Sequence, residues 1–240
     1  MKDTWIFQAD HNQFRIDDFL ATSPKACLWR VSNGHSRIKI GDKVYLWRSI
    51  SGSDRARAGI ATEAEIVSPV SKQRDDTASK PFWVDRTYAE EIINRVMIRI
   101  ASAGQRIVYD DLKNDPILSN MQIIKAGTGT NFLIKNEYAS RLASLWSKNG
   151  QCWNRNEIIA ALLAYDCCTK HGTLAITVGR TISDARKKLA SFQNFDPKSA
   201  HASVSTVCSL EKEVWDEFFD NDSMKLRRAD LEKAHAACTH

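Results

Sequence analysis

Apolar and polar side chains alternate most clearly along residues 40–49, in the sequence IGDKVYLWRS. Because successive side chains of a β-strand point to opposite faces, this pattern predicts a strand entered through a Gly-Asp turn. One face would carry Val44 and Leu46, and the other would carry Tyr45, Trp47 and Ser49. The first face suits a hydrophobic core. The second suits either a packed interior or the wall of a pocket for a flat ring, and alternation alone leaves both interpretations open.

Short apolar segments on both sides of this strand predict a β-rich first part with a few short helices. The polar loop 51–58 is basic, the segment 127–130 carries two glycines, and the polar insertion 68–80 is expected to be mobile. Such a mixture predicts an α+β fold with an N-terminal β-barrel. The further predicted strands are 4–9, 26–31, 59–67, 95–100 and the end of 127–134, and the predicted helices are 14–20, 107–112 and 136–148.

The apolar pattern changes to helical spacing after residues 148–151, which predicts two domains. The first would comprise residues 1–150 and the second residues 151–240. Asn154 and Glu157 have the spacing of a capping box, in which two side chains satisfy backbone N–H groups at a helix start. The second domain is therefore expected to begin with a helix that reaches about residue 170.

Two further helical segments, 174–178 and 182–192, flank Gly179. A glycine tolerates the positive backbone angle that a turn between crossed helices requires. The segment 211–231 carries several apolar residues, and its acidic run 216–222 would repel DNA, so we expect it to pack within the domain and not to contact DNA. The second domain is predicted to be small, all-α and similar to a helix-turn-helix.

Composition places the chain among globular proteins, with 43% hydrophobic residues and seven Trp in 240 residues. The net charge of +5 arises entirely from the first domain, because residues 1–151 have 22 Lys and Arg against 17 Asp and Glu, whereas residues 152–240 have 12 of each. A modest basic excess fits either a nucleic-acid partner or an ordinary solvated surface. Charge alone gives both interpretations equal weight.

Chemistry-bearing residues are sparse. The six Cys and six His have neither zinc-finger spacing nor a Cys-x-x-Cys pair, so we expect no metal and no cofactor. The start of the chain has no signal-peptide pattern and no apolar run is long enough to span a membrane, which favours a soluble, cytoplasmic protein with reduced thiols. No catalytic motif is present.

A set of short motifs in fixed order resembles the EVE domain of the PUA-like superfamily, over about residues 3–148. Its members are Trp5-Ile6-Phe7, residues 14–20 (FRIDDFL), Trp29-Arg30-Val31, residues 40–49, Gly59-Ile60-Ala61, residues 115–118 (DPIL) and residues 129–132 (GTNF). Residues 152–235 resemble the helical domain that accompanies EVE and HNH nuclease domains in bacterial restriction proteins. That similarity is carried by Trp153, Glu157-Ile158, Gly179-Arg180, residues 188–190, residues 194–197 and residues 214–218.

The resemblance implies a domain that recognises a chemically altered nucleobase, most specifically 5-methylcytosine or 5-hydroxymethylcytosine in DNA. The base would be flipped out of the duplex, and aromatic stacking would offset part of the cost of flipping. Strand 40–49 then becomes the expected floor of the base pocket, with Trp47 as the expected contact. The candidate pocket residues are Trp29, Tyr45, Trp47, Ser49, Thr130, Asn131 and Phe132, and Trp83 is either a lid or a core anchor.

Basic residues near these motifs are candidates for phosphate contacts. In the first domain they are Arg30, Arg48, Arg55 and Arg57, and in the second Arg180, Arg186, Lys187 and Lys188. For the second set, a solvated basic face is an equally weighted alternative. The helical domain would then space or dimerise the DNA-binding domain.

The chain departs from the nuclease-fused relatives because none of its six His lies in an HNH-like motif. We therefore expect no DNA cleavage by this chain alone. The preferred hypothesis is the recognition part of a modification-dependent restriction system, with a nuclease domain or subunit supplied separately and a homodimer possible. The alternative hypothesis is an RNA-binding or modified-RNA-binding module, since PUA-like folds also bind RNA.

Overall fold

The structure, a computed structural model, describes residues 2–50, 55–102, 106–126, 129–199 and 208–237. Residues 51–54 of the predicted basic loop and 127–128 of the predicted glycine segment lie outside the described residues. The chain divides into two compact units, Met1–Asn149 and Gly150–His240.

The first unit contains eight strands and five α-helices among its described residues. The strands are β1 (Thr4–Ala9), β2 (Ala26–Arg30), β3 (Lys43–Arg48), β4 (Gly59–Ile66), β5 (Ser71–Gln73), β6 (Ile93–Ser102), β7 (Ile107–Val108) and β8 (Asn131–Leu133). The helices are α1 (Ile16–Ala21), α2 (Thr87–Glu90), α3 (Tyr109–Asn114), α4 (Gln122–Ala126) and α5 (Asn136–Lys148), with 3-10 turns at Arg55–Arg57, Lys80–Phe82 and Leu118–Asn120.

All eight strands belong to one curled sheet whose main order is β2-β6-β4-β3-β1-β8. Strands β1 and β3 pair in parallel, and the other pairs are antiparallel. Asn131 joins the two ends of this order, because its side-chain oxygen accepts a hydrogen bond from the Ser32 N–H (2.9 Å) and its amide nitrogen lies 3.5 Å from the Arg30 carbonyl oxygen. The predicted α+β class with a PUA-like curled sheet is confirmed.

Both faces of the sheet are covered. The inner face, together with Phe14 and α1, forms one hydrophobic cluster that includes Val44 and Leu46 of β3. The outer face forms a second cluster that includes Tyr45 and Trp47 and is covered by α3, α4 and α5. Strand β3 therefore has the predicted alternation, but both of its faces are packed interior.

The polar insertion at residues 68–80 is folded against the sheet, so the expectation of a mobile segment is wrong. Strand β5 pairs with the edge of β6, and Asp75 and Ser79 are buried. Asp76 accepts hydrogen bonds from the Leu28 N–H (2.6 Å) and from the Ser79 N–H (2.7 Å). Polar composition suggested solvation, but these side chains instead satisfy backbone donors within the fold.

The second unit contains five helices among its described residues. Asn154 and Glu157 form the predicted capping box, and Gly179 has the expected left-handed conformation (φ 74°) between two helices. Residues 219–226 form a two-stranded ribbon, so the prediction that the second domain is all-α is wrong at this point. The elements are α6 (Arg155–Asp166), α7 (His171–Val178), α8 (Ile182–Phe192), α9 (Ser209–Phe218), β9 (Phe219–Asp220), β10 (Lys225–Leu226) and α10 (Arg228–Ala237).

Candidate functional site

A cavity of about 90 Å³ lies in the first unit, between the ends of β1 and β2 and the segments that precede α2 and β8. This is several times the roughly 10–15 Å³ that one water molecule needs. Its walls combine aromatic rings with a few polar groups, which is the usual composition of a small-ligand site. They are formed by Gln8, Ala9, Asp10, Gln13, Phe14, Leu28, Trp29, Arg30, Asp75, Trp83, Gly129 and Thr130.

Three aromatic rings form the apolar part of the wall. Phe14 stands edge-on between the two tryptophans, with its centroid 5.9 Å from that of Trp29 and 5.1 Å from that of Trp83. A backbone β-bridge also joins Phe14 to Trp83. Two indoles are thereby held at the cavity by a common neighbour, so a flat ligand would enter a preformed aromatic site.

Asp75 contributes a buried carboxylate to the same wall. One of its oxygens accepts a 2.5 Å hydrogen bond from the Trp83 indole N–H and lies 3.5 Å from the guanidinium of the fully buried Arg95. Burial raises the pKa of Asp75 above its ordinary value, although Arg95 and the indole N–H act in the opposite direction. Burial likewise lowers the pKa of Arg95. This wall therefore presents a fixed hydrogen-bond acceptor within an apolar surrounding.

Gly129 and Thr130 close the cavity on the side of β8. Gly129 has φ +134°, and a Cβ atom there would lie 2.6 Å from the Phe132 ring, so only glycine fits this position. The Thr130 hydroxyl donates a hydrogen bond to the Asn131 side-chain oxygen (2.9 Å). The glycine thus allows the backbone to approach the aromatic core closely while Thr130 remains at the cavity.

Two of the seven predicted pocket residues, Trp29 and Thr130, line the cavity. Asn131 lies beside them in sequence, but its side chain bonds the backbone of Ser32 and Arg30 at the end of β2. Ser49 is outside the lining, and its hydroxyl lies 3.3 Å from the His11 backbone N–H. Trp83 also lines the cavity, where its hydrogen bond to Asp75 and its contact with Phe14 make it a fixed wall.

Tyr45, Trp47 and Phe132 do not line this cavity, and their proposed contact with a base is corrected. All three lie in the outer-face cluster beneath the helices, and these residues are 0%, 2% and 7% exposed. Trp47 packs edge-on against Tyr109 of α3 (centroids 6.1 Å apart). The physical reason is that helices cover the face of β3 that the sequence-based interpretation assigned to a pocket.

The four predicted phosphate contacts of the first unit differ in burial and in pairing. Arg48 is buried and its guanidinium lies 2.6 Å from the Asp17 carboxylate, so its assignment as a phosphate contact is corrected. Arg55 pairs with Asp110 (2.7 Å) at the surface, and Arg57 is exposed. Arg30 lines the cavity, and no carboxylate within the described part of the chain forms an ion pair with it.

In the second unit, the assignment of Arg180 and Lys188 as phosphate contacts is corrected for the same reason. Both cations are buried against the Trp153 ring, 4.7 Å and 4.9 Å from its centroid. Arg180 pairs with Glu157 (2.8 Å), and Lys188 pairs with Glu211. Arg186 and Lys187 are exposed on α8. A buried, paired cation cannot leave its partner for a phosphate without exposing an uncompensated buried charge, so neither residue is available for such a contact.

Several lining residues were missed by the sequence-based interpretation. Phe14 belonged to a recognised motif, and its position there was the only available signal. Asp75 lay in a segment interpreted as a polar insertion, although an acidic pair eight residues before a tryptophan was visible. The remaining missed residues are Gln8, Ala9, Asp10, Gln13, Leu28 and Gly129.

Among the residues that the structure describes, no group of three or more His, Cys, Asp or Glu side chains is arranged to hold a metal ion. The described helices are also too short or too polar to cross a membrane.

The family model of the EVE domain matches residues 3–145. A hypothetical protein from Leishmania major is 19% identical, with a TM-score of 0.41 and coverage of 60% of this chain and 94% of that one. Human THYN1, in complex with DNA containing 5-methylcytosine, is 16% identical, with a TM-score of 0.42 and coverage of 60% and 96%. A protein from Pseudomonas syringae is 20% identical, with a TM-score of 0.40 and coverage of 58% and 97%. No curated protein sequence matches the chain.

Proposed function

The chain belongs to the EVE domain family, as its motifs predicted, and we propose that its first unit binds nucleic acid by accepting one modified base in the cavity beside Trp29. The ligand class follows from the family resemblance, which implies 5-methylcytosine or 5-hydroxymethylcytosine in DNA. The observation that carries the proposal is the preformed aromatic wall of Trp29, Phe14 and Trp83 around a buried carboxylate.

Energetics are consistent with a flipped base. Extruding a base from a duplex costs a few kcal/mol, whereas stacking on an aromatic side chain contributes about 1–3 kcal/mol. Trp29 and Trp83 both line the cavity, so a base stacked on either ring would recover an amount comparable to the cost of flipping. The remaining affinity would come from polar contacts to the base edge and from the nucleic-acid backbone.

Arg30 is the cation best placed for a backbone contact. It lines the cavity and, within the described residues, has no carboxylate partner, so its guanidinium is available to a phosphate next to the flipped nucleotide. Neutralising a phosphate releases condensed counterions, so binding would weaken as salt is added. Arg57, Arg186 and Lys187 are exposed and remain secondary candidates for such contacts.

A finer proposal concerns the biological setting. The resemblance of residues 152–235 to helical domains of restriction proteins supports a role as the recognition part of a modification-dependent restriction system. In that role a separate nuclease domain or subunit would cut the DNA. Co-purification of a nuclease activity with the tagged protein, dependent on a divalent metal and on modified DNA, would support this setting.

A fluorescence polarisation panel tests the binding proposal. Matched oligonucleotides would carry cytosine, 5-methylcytosine or 5-hydroxymethylcytosine at one position, each made as DNA and as RNA. We expect a modified DNA to bind at least about tenfold more tightly than its plain counterpart, which corresponds to about 1.4 kcal/mol. Equal binding of modified and plain cytosine would refute the proposal, and preference for the RNA series would establish the alternative hypothesis of an RNA-binding module.

A further inference from the structure

We propose that Asp75 determines which bases the cavity accepts, by taking a hydrogen bond from the exocyclic amino group of the bound base. The cavity would then accept amino bases of the cytosine or adenine type and disfavour oxo bases of the thymine or uracil type in the same orientation. This inference rests on the proposed function and adds to it the residue that recognises the base edge.

The position of Asp75 carries the inference. Its side chain is only 1% exposed, yet the residue lines the cavity beside Trp83. One carboxylate oxygen accepts from the Trp83 indole and lies near Arg95, and the other accepts from the Asp76 backbone N–H (3.0 Å). An ionised carboxylate has about four acceptor positions, so this group can still accept from a ligand.

The surroundings fix the orientation of that acceptor. The indole N–H and the Arg95 guanidinium hold one oxygen, and the Asp76 backbone holds the other, so the carboxylate cannot turn away without losing hydrogen bonds in a buried site. Trp83, whose indole N–H donates to Asp75, lines the same cavity. A base edge that enters the cavity beside Trp83 would meet an acceptor of fixed position.

5-Methylcytosine and thymine provide the sharpest comparison for such a site. Both have the same ring and the same methyl group, but position 4 carries an amino donor in the first and a carbonyl acceptor in the second. An acceptor facing another acceptor loses the hydrogen bond and adds repulsion between two partially negative oxygens. Sites built around a required hydrogen bond reject such analogues strongly.

The first experiment uses the wild-type full chain and DNA probes that carry cytosine, 5-methylcytosine or thymine opposite an abasic site. The abasic partner removes differences in base pairing, so the affinities report the cavity alone. We expect 5-methylcytosine to bind about tenfold or more tightly than thymine. If thymine and 5-methylcytosine bind equally while plain cytosine binds more weakly, the Asp75 inference is overturned and the proposed function stands. If all three bind equally, the proposed function fails as well.

The second experiment uses Asp75→Asn, which keeps the size of the side chain and can turn an N–H donor toward a carbonyl. We expect the ratio of 5-methylcytosine to thymine affinity to fall at least fivefold or to invert.

Trp83→Phe is the matched control, because it removes the indole hydrogen bond to Asp75 and leaves both the carboxylate and an aromatic wall. Both affinities should fall, because Trp83 lines the cavity. The affinity ratio should stay within about twofold of wild type, because Arg95 and the Asp76 backbone N–H still hold the carboxylate.

The ratio separates recognition from a structural role. If Asp75 only anchored Trp83, Asp75→Asn and Trp83→Phe would lower both affinities by the same factor and leave the ratio unchanged, and that result contradicts the inference. Circular dichroism of each variant checks the fold. Should Asp75→Asn fail to fold, the wild-type comparison of 5-methylcytosine with thymine still decides the question.

Discussion

The same dipeptide, Trp-Arg, ends two strands of the sheet and lies in opposite environments. Trp29 and Arg30 end β2, where both residues line the cavity. Trp47 and Arg48 end β3, where the indole packs under the helices of the outer face and the guanidinium is buried against Asp17. One pair borders an open cavity, and the other is packed within the fold.

Residue type and strand position therefore do not determine the role of an aromatic residue. Trp29 points to the inner face, where the cluster opens at one end into a cavity that Asp75 and Trp83 also line. Trp47 points to the outer face, which α3, α4 and α5 cover. Segments far along the chain decide whether an aromatic face is filled with protein or remains accessible to a ligand.

Of the substitutions that test this contrast, Trp47→Ala should produce the largest effect, a loss of stability. Removing a buried indole costs about 3–5 kcal/mol in unfolding free energy, since the lost contacts leave a cavity in a packed core. Trp29→Ala should destabilise the unit less, because Trp29 already borders an empty space. Urea denaturation of both variants measures the difference. Equal destabilisation would show that Trp29 is as much a core residue as Trp47.

Replacing Trp29 with alanine should produce the next largest effect, on binding. Loss of one stacking surface is worth about 1–3 kcal/mol, so the affinity for the modified base should fall roughly 10- to 100-fold. Trp29→Phe is the matched control, since it keeps a smaller aromatic face and should retain intermediate affinity. Titration of both variants with the same labelled oligonucleotide tests this. An unchanged affinity in a folded Trp29→Ala variant would remove the cavity from the proposed site.

Alternation along residues 40–49 was enough to separate the two faces of β3, and the caps at Asn154 and Gly179 were predicted from local rules. Local rules could not assign the cavity to a face, because that assignment depends on helices 60 to 100 residues further along folding onto β3. Asp75 was missed for a related reason. A polar segment is indistinguishable from a solvated loop until its burial against Trp83 and Arg95 is known.

The partly buried ion pair of Arg48 with Asp17 should make the first unit sensitive to acid. Burial raises the pKa of Asp17, but hydrogen bonds and charge from Arg106 (2.5 Å) and Arg48 (2.6 Å) outweigh burial and bring the pKa below its ordinary value of 3.8. Because the folded pKa is the lower one, this stabilisation is present above pH 3.8 and is lost as the pH falls through the folded value.

The Asp17→Asn variant tests the direction of this pH dependence of stability. The variant should be less stable than wild type by about 1–2 kcal/mol at neutral pH, allowing for partial exposure of the pair. The gap should narrow as the pH falls below 3.8. Asp18→Asn is the matched control, because Asp18 is the exposed neighbour that pairs with Arg15 (3.3 Å) and should change stability little. A gap that stays constant down to about pH 2 would contradict the assigned pairing.

Arg30→Gln should have the smallest effect and extends the contrast with Arg48. Because Arg30 lines the cavity and has no carboxylate partner among the described residues, its loss should leave stability nearly unchanged and weaken nucleic-acid binding about two- to fivefold at moderate salt. The dependence of log affinity on log salt should become shallower by about one unit if one phosphate contact is lost.

Lys113→Gln, the same charge change at an exposed position of α3, is the matched control and should leave the slope intact. A slope that changes equally in both variants would assign the effect to net charge, and Arg30 would then have no specific contact with the backbone.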